Sequence, residues 1–379
     1  MDSMRRFDPL DHVSRLAFID GSSSGYSIDA GGGTNGKPWR VVATGPWDDP
    51  GWQAPLEDAG CEVILCRSFD KFPGDAYTED ELIELIHDAD AILVSTRERI
   101  TRRILEACPR LKIVAKGTIG VETIDCDAAA DLGILVVNSP APENFIGLAE
   151  ATVGLILSLV KRQSVCERRL RDGKWKHPSI LGNMLAGQTI GIIGLGRVGA
   201  HVARRFSGWD VRILATDPYV EPAQALAVGA QLVPLDVLIK EADVVTLHVV
   251  LTPETTHMIG EAQLRAMKPT AYLLNTSRGP AIDEAALVKA IEENWIAGAA
   301  LDVYDQEPLP MDSPLRRLDP DRVILTPHCI GNNLISHVTG VKMAQENILR
   351  ALQGQLPGYI KNPAAIEHWH QRFTEAKTS

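Results

Sequence analysis

The chain has 379 residues, enough for two domains of ordinary size. Apolar residues make up 45% and charged residues 23%, so a sizeable core can form without metal or disulfide staples. Lys plus Arg number 38 against 49 Asp plus Glu, a net charge of −11, which argues against a broad surface for nucleic-acid phosphates.

The six cysteines, Cys61, Cys66, Cys108, Cys126, Cys166 and Cys329, form no C-x-x-C pair and no metal-ligand spacing. Reduced, mostly buried thiols in a cytoplasmic protein are the expectation. The most apolar run, 153–160, is shorter than the ~20 residues of a membrane span. The first 30 residues lack the apolar stretch of a secretory signal, so no membrane partner is expected.

Residues 1–38 are expected to form a flexible extension, because Gly21-Ser-Ser-Ser-Gly25 and Gly31-Gly-Gly33 carry high backbone entropy and little to bury. From Arg40 onward strands are expected at 41–44, 62–66, 91–95, 111–115 and 134–138. Helices are expected between them at 53–59, 78–87, 101–107 and 124–132. Thr78 is placed to cap the second of these, with Glu81 three positions on to close a capping box. Arg102 and Arg103 read as a solvated helix face. Strands alternating with helices imply a parallel sheet with right-handed crossovers.

The segment 145–162 is apolar on most faces and is expected to be a largely buried helix. It follows Ser139-Pro-Ala-Pro142, where the chain is expected to cross between domains. A second α/β unit starts at Thr189, with strands at 189–193, 211–216, 244–249, 271–275, 299–303 and 323–326. Its helices include 197–206 and 284–292, and a last long helix covers 336–352. Trp175 and Trp209 read as packing residues, and His248 as structural.

The strongest local signal is Thr189-Ile-Gly-Ile-Ile-Gly194-Leu-Gly196-Arg-Val-Gly199. A strand runs into Gly194-x-Gly196-x-x-Gly199 and opens a helix. Gly194 permits the tight turn, Gly196 lets backbone approach a pyrophosphate, and Gly199 lets helix pack on sheet. The amides of Arg197 and Val198 lie at the helix N-terminus, where anions bind. Asp217 follows Gly199 by 18 positions, at the end of the next strand, and is suited to an adenosine ribose diol. A carboxylate there repels a 2′-phosphate, and Pro218, Tyr219 and Val220 offer no cation to receive one. The expected cofactor is therefore NAD.

Reduction of a carbonyl by a nicotinamide needs a proton donor, a cation for the carbonyl and carboxylate, and a group that sets the donor's pKa. Arg278, Glu307 and His328 lie near strand ends of the second unit and suit these roles. Singly, each also has an ordinary reading as an ion-pair partner, a loop residue or a surface histidine.

Together with the glycine motif, His248-Val-Val-Leu-Thr-Pro-Glu-Thr255, Asn275-Thr-Ser-Arg-Gly279, Ala300-Leu-Asp-Val-Tyr304, Glu307-Pro308 and Thr326-Pro-His328 stand in a family's order and spacing. Over about 41–352 the chain resembles the D-isomer-specific 2-hydroxyacid dehydrogenases, with the branch acting on D-3-phosphoglycerate nearest in likeness. The resemblance implies two Rossmann-like α/β domains with parallel sheets. An NAD-binding domain (147–332) would be inserted into a discontinuous, flavodoxin-like substrate-binding domain (39–146 and 333–379).

It implies that Arg278 holds the substrate, that His328 is the general acid/base, and that Glu307 raises the His328 pKa. It further implies cofactor contacts from Val249, Thr276, Asp302 and Gly331. Lys116-Gly-Thr-Ile-Gly-Val-Glu-Thr-Ile-Asp125 corresponds to the family's carboxylate loop, with Ile119 and Gly120 as amide donors. Glu122-Thr123 stands where Asp-Asn is usual. Ser95, Arg97 and Lys116 line the equivalent pocket wall.

The implied reaction interconverts a D-2-hydroxy acid and its 2-keto acid in a homodimer. The leading substrate is 3-phosphoglycerate, followed by glyoxylate, hydroxypyruvate or an aromatic 2-keto acid. Formate or phosphite oxidation and a non-catalytic NAD-sensing role are the alternatives. Beyond Leu352 only a short tail is expected.

Overall fold

The structure, a computed structural model, describes residues 37–45, 51–66, 77–96 and 98–375, with side chains described to residue 372. Nearly all of the expected N-terminal extension, and Arg97, lie outside the described residues. The chain divides into two compact units: one holds the described residues up to Glu143 together with those from Asn333 on, and the other is Asn144–Asn332.

The first unit is built on five parallel strands, β1 (Trp39–Ala43), β2 (Cys61–Leu65), β3 (Ala91–Val94), β4 (Ile113–Lys116) and β5 (Leu135–Val137), in the order β2-β1-β3-β4-β5. Helices α1 (Ala54–Asp58), α2 (Glu79–Ile86), α3 (Arg102–Glu106) and α4 (Cys126–Asp131) connect them. The middle strand, β3, is apolar at every position because both faces of the sheet are covered. Val41, Ala43, Leu93, Ala115 and Val137 pack on one face, and Val42, Ile92, Val94, Val114 and Val136 on the other. The capping box at α2 is present: the Glu81 amide donates to Thr78 Oγ1, and the Thr78 amide donates to Glu81 Oε2 at 2.9 Å. Arg102 and Arg103 are exposed and paired with Asp131, Glu79 and Asp80.

The segment after Leu352 is not a loose tail. Helix α13 (Ile366–Glu375) drives Trp369 into the first unit's core, leaving it 1% exposed. The Asn362 side chain accepts from the Val136 amide at 2.8 Å and donates to the Ile134 carbonyl at 2.9 Å. Arg372 donates to the carbonyls of Pro109, Leu111, Leu132 and Gly133. The long helix α12 (Leu334–Leu352), capped by Asn333, covers the same face, and Gly340 approaches the Gly117 carbonyl so closely that a Cβ there would lie 2.2 Å from it.

The second unit has seven parallel strands: β6 (Thr189–Ile193), β7 (Arg212–Thr216), β8 (Ala230–Leu232), β9 (Val244–Leu247), β10 (Tyr272–Asn275), β11 (Gly298–Leu301) and β12 (Val323–Leu325). Their order is β12-β11-β10-β9-β6-β7-β8, so the chain reverses direction across the sheet between β6 and β9. In doubly wound sheets a ligand crevice forms at that reversal, outside the strands' carboxyl ends. The strand β8 is a three-residue edge that lacks a readable alternation.

Helix α5 (Pro142–Val160) corrects an expectation. Ala149, Leu155, Ile156, Leu159 and Val160 pack in the second unit's core, but only a third of its most apolar window is buried. By length and composition alone it is apolar enough to cross a membrane, with a mean hydropathy of 1.5. Trp175 is likewise no packing residue, being 73% exposed, whereas Trp209 stacks edge-on against Phe206. The thiols are mixed rather than mostly buried: Cys61 and Cys108 are buried, Cys66 and Cys126 intermediate, Cys166 and Cys329 exposed. Burial pushes the Cys61 and Cys108 thiols up to about 11.

Candidate active site

The glycine loop lies at the reversal point of the second sheet. Gly194 has a φ of +89°, and a Cβ there would fall 2.6 Å from the His248 carbonyl oxygen at the end of β9. A Cβ on Gly199 would meet the Gly194 carbonyl at 2.1 Å, so glycine alone lets α7 (Arg197–Arg205) sit this close to the turn. Gly196, at the N-cap of α7, faces open space within 4 Å. Two glycines are thus required by the protein's own packing, and the third leaves room for a phosphate next to the first amides of the helix, at Arg197 and Val198.

The Arg197 guanidinium lies 4.3 Å from the centroid of the Phe145 ring. Asp217 accepts from the Leu195 amide through Oδ2 and from the Tyr219 amide through Oδ1, both at 2.8 Å, which ties the acid to the glycine loop. Val249 borders Gly194, and the Thr276 hydroxyl is 3.2 Å from that of Thr152. Gly331 is seated on Leu148, where a Cβ would come within 2.9 Å of Cδ1. These residues fit an NAD cradle.

Arg278, Glu307 and His328 come together on the loops that follow β10, β11 and β12. His328 Nδ1 and Glu307 Oε2 are 2.6 Å apart, and the other carboxylate oxygen accepts from the Tyr304 amide at 3.0 Å. The hydrogen bond to Glu307 holds the His328 pKa above its ordinary value, against the effect of desolvation. Desolvation pushes the Glu307 carboxyl up, but the bond and charge of His328, the Tyr304 amide and the Arg278 charge outweigh it and leave the pKa lowered. Arg278 thus lies close enough for its charge to act on both partners.

His328 has a φ of 50°, a left-handed conformation that costs a non-glycine residue about 1 kcal/mol or more. Its loop is held accordingly. Buried Asp302 accepts from Thr326 Oγ1 at 2.5 Å and from the amides of Cys329 and Ile330 at 3.1 and 3.3 Å. In this structure Asp302 therefore anchors the histidine loop.

Sequence reasoning missed Asn275 and Tyr304. Asn275 accepts from the Ser277 amide and hydroxyl and donates to the Arg278 carbonyl at 2.8 Å, shaping the arginine turn. His248 is structural in its contacts, with Nε2 3.1 Å from Thr246 Oγ1, and burial pushes its pKa down to about 3.

In the first unit the strand order reverses between β1 and β3, and Thr44 and Ser95 lie just past those strands. The Ser95 hydroxyl donates to Glu98 Oε2 at 2.7 Å, and Thr44 Oγ1 donates to the same oxygen at 2.6 Å. Glu98 is only 3% exposed, a buried carboxylate that sequence reasoning did not single out. Lys116, at the end of β4, is buried too and donates to Thr123 Oγ1 at 2.8 Å. The loop that follows is braced by Asn138, which donates to the Ile119 carbonyl at 2.6 Å. Among the described residues neither the Ile119 nor the Gly120 amide donates to a protein acceptor.

Comparison with known proteins identifies the chain's relatives. The family described as "D-isomer specific 2-hydroxyacid dehydrogenase, NAD binding domain" matches residues 153–329. A glyoxylate reductase of Thermofilum pendens is 38% identical over 314 residues, 81% of this chain and 90% of that one. A D-3-phosphoglycerate dehydrogenase of Methanocaldococcus jannaschii is 39% identical over 286 residues, 75% of this chain but 54% of that one. Among solved structures, D-lactate dehydrogenase from Aquifex aeolicus, complexed with NAD and lactic acid, superposes with a TM-score of 0.72 at 30% identity. It covers 85% of this chain and 99% of that one.

The chain belongs to the D-isomer-specific 2-hydroxyacid dehydrogenase family. It is an NAD-dependent oxidoreductase that interconverts a 2-hydroxy acid and its 2-keto acid.

Proposed function

We propose that His328 is the general acid/base of this reaction, Glu307 its ion-pair partner and Arg278 the substrate-holding cation. The single observation that carries this reading is the 2.6 Å His328–Glu307 bond, formed within reach of the Arg278 charge. NAD, when bound, accepts or supplies the hydride. In the reductive direction protonated His328 gives its proton to the carbonyl oxygen as that oxygen gains charge, and Glu307 stabilises the imidazolium beforehand. In the oxidative direction neutral His328 takes the hydroxyl proton. Arg278 pairs with the substrate carboxylate and polarises the keto oxygen. His328→Ala is expected to abolish turnover while NADH still binds, read by fluorescence titration; unchanged kcat overturns the assignment.

The amides of Ile119 and Gly120 are read as the carboxylate-binding pair, with Ser95 and Lys116 as further substrate contacts from the first, substrate-binding unit. Glyoxylate and hydroxypyruvate lead as substrates, supported by the glyoxylate reductase matched over 90% of its length. A second reading, 3-phosphoglycerate, is favoured by the buried ammonium of Lys116, which suits an anionic substituent. A panel of 2-keto acids with NADH, followed by loss of reduced-nicotinamide absorbance, separates them by kcat/KM.

The chain is proposed to act as a homodimer in the cytoplasm. The sparse covering of α5 and the exposure of Leu170, Trp175, Leu181 and Met184 in the same unit support the dimer. Six free thiols support a reducing compartment. Light scattering at the dimer mass tests the first, and fractionation of the producing cells the second.

A further inference from the structure

The His328–Glu307 pair belongs to a closed cycle of hydrogen bonds that begins and ends in one residue. The Tyr304 amide donates to Glu307 Oε1 at 3.0 Å. Glu307 Oε2 meets His328 Nδ1 at 2.6 Å. The His328 amide donates to the Thr326 carbonyl at 3.1 Å. The Tyr304 hydroxyl donates to that same carbonyl at 2.8 Å, with the Leu301 carbonyl as a second, longer acceptor of the same proton at 3.2 Å.

Tyr304 also carries the arginine loop. A Cβ on Gly279, the neighbour of Arg278, would lie 2.0 Å from the Tyr304 carbonyl carbon and oxygen, so the turn that presents Arg278 rests directly on the Tyr304 backbone. The ring itself is buried among the apolar residues of one sheet face, with 6% of the residue exposed.

We propose that Tyr304 is a positioning residue for hydride transfer: its hydroxyl, sharing the Thr326 carbonyl with the His328 amide, sets the imidazole against a carboxylate that the Tyr304 amide holds. This rests on the reading of His328 as the acid/base. Asp302 fixes the loop on either side of His328 through Thr326 Oγ1 and the Cys329 and Ile330 amides. It leaves the Thr326 carbonyl, which orients the histidine's own peptide, to the tyrosine. With φ at 50°, that peptide sits in a conformation that surrounding contacts must maintain. A phenylalanine at 304 would keep the buried ring and open the cycle at one bond. The imidazole would then be held less firmly on Glu307, and its pKa would fall toward the ordinary histidine value.

The test is Tyr304→Phe, with Glu307→Gln, the double variant and His328→Ala measured beside it in 2-keto acid reduction. Tyr304→Phe is expected to lower kcat by about 3- to 30-fold, because small errors in placing a proton donor are costly. The KM for NADH should hold within about twofold, since the glycine loop is untouched. The basic limb of the kcat–pH profile should move down by about half a unit or more. In the Glu307→Gln background the tyrosine change should move that limb no further, because both act through one pair. A kcat and pH limb like the parent's, or a lower kcat with the limb unmoved, overturns the positioning role while inactivity of His328→Ala upholds the acid/base reading. Parental turnover by His328→Ala overturns both.

Discussion

Glu307 and His328 meet through Oε2 and Nδ1 at 2.6 Å, and the bond raises the pKa of the imidazole as it helps lower that of the carboxyl. The pair is an ion pair only between those two values, above the lowered carboxyl and below the raised imidazole. With His328 in its proposed role, reduction requires the imidazolium, and its rate is expected to fall as pH rises through the His328 pKa. In Glu307→Gln the cause of the upward shift is gone, and that fall is expected to begin at lower pH. Oxidation requires the neutral ring, so its rise should also begin at lower pH. At neutral pH the reductive kcat is expected to drop by about 10- to 100-fold. Full pH profiles in both directions check the sign, and a limb that stays in place counts against the pairing.

Asp217 carries two local hydrogen bonds besides its expected contact with the adenosine ribose. Asp217→Ala should therefore weaken NADH by about tenfold and improve relative use of NADPH, since the charge that repels a 2′-phosphate is removed. Competitive KM measurements with the two cofactors decide it; an unmoved preference contradicts the role.

Gly196 and Gly199 separate cofactor space from protein packing. A methyl at 196 meets nothing within 4 Å, whereas one at 199 meets the Gly194 carbonyl at 2.1 Å. Gly196→Ala is expected to leave thermal unfolding of the cofactor-free protein nearly unchanged and to weaken NADH strongly. Gly199→Ala should cost about 1 to 3 kcal/mol of stability before any cofactor is added. Calorimetry without NADH, paired with fluorescence titration, distinguishes the two.

Most strands were legible because each sheet is covered on both faces and its central strands read as mostly apolar runs, unbroken in Ala91–Val94 and interrupted only by Thr246 in Val244–Leu247. The glycine motif and Asp217 were legible because their spacing is local. Edge strand Ala230–Leu232 was not, with exposed Gln231 beside half-buried Leu232 in only three residues. Neither was the docking of Trp369, whose partners lie more than two hundred residues away in the first sheet. The same holds at the site. Arg278, Glu307 and His328 sit in recognisable motifs, but the Tyr304 hydroxyl bond spans 22 residues and the Thr44–Glu98 bond 54. The exposure of the outward face of α5 was not legible because composition cannot say whether an apolar helix is covered by its own chain.

Arg278, Glu307, His328 and the glycine loop all lie within Asn144–Asn332. The residues proposed for proton and hydride transfer thus form one block of continuous chain, whereas Ser95, Lys116, Ile119 and Gly120 belong to the other unit. On the proposed roles, changes in the loops of that other unit are expected to retune which acid is accepted while the proton and hydride machinery stays as it is. Laboratory evolution of new substrates for this scaffold should accordingly begin with Ser95 and the 117–123 loop.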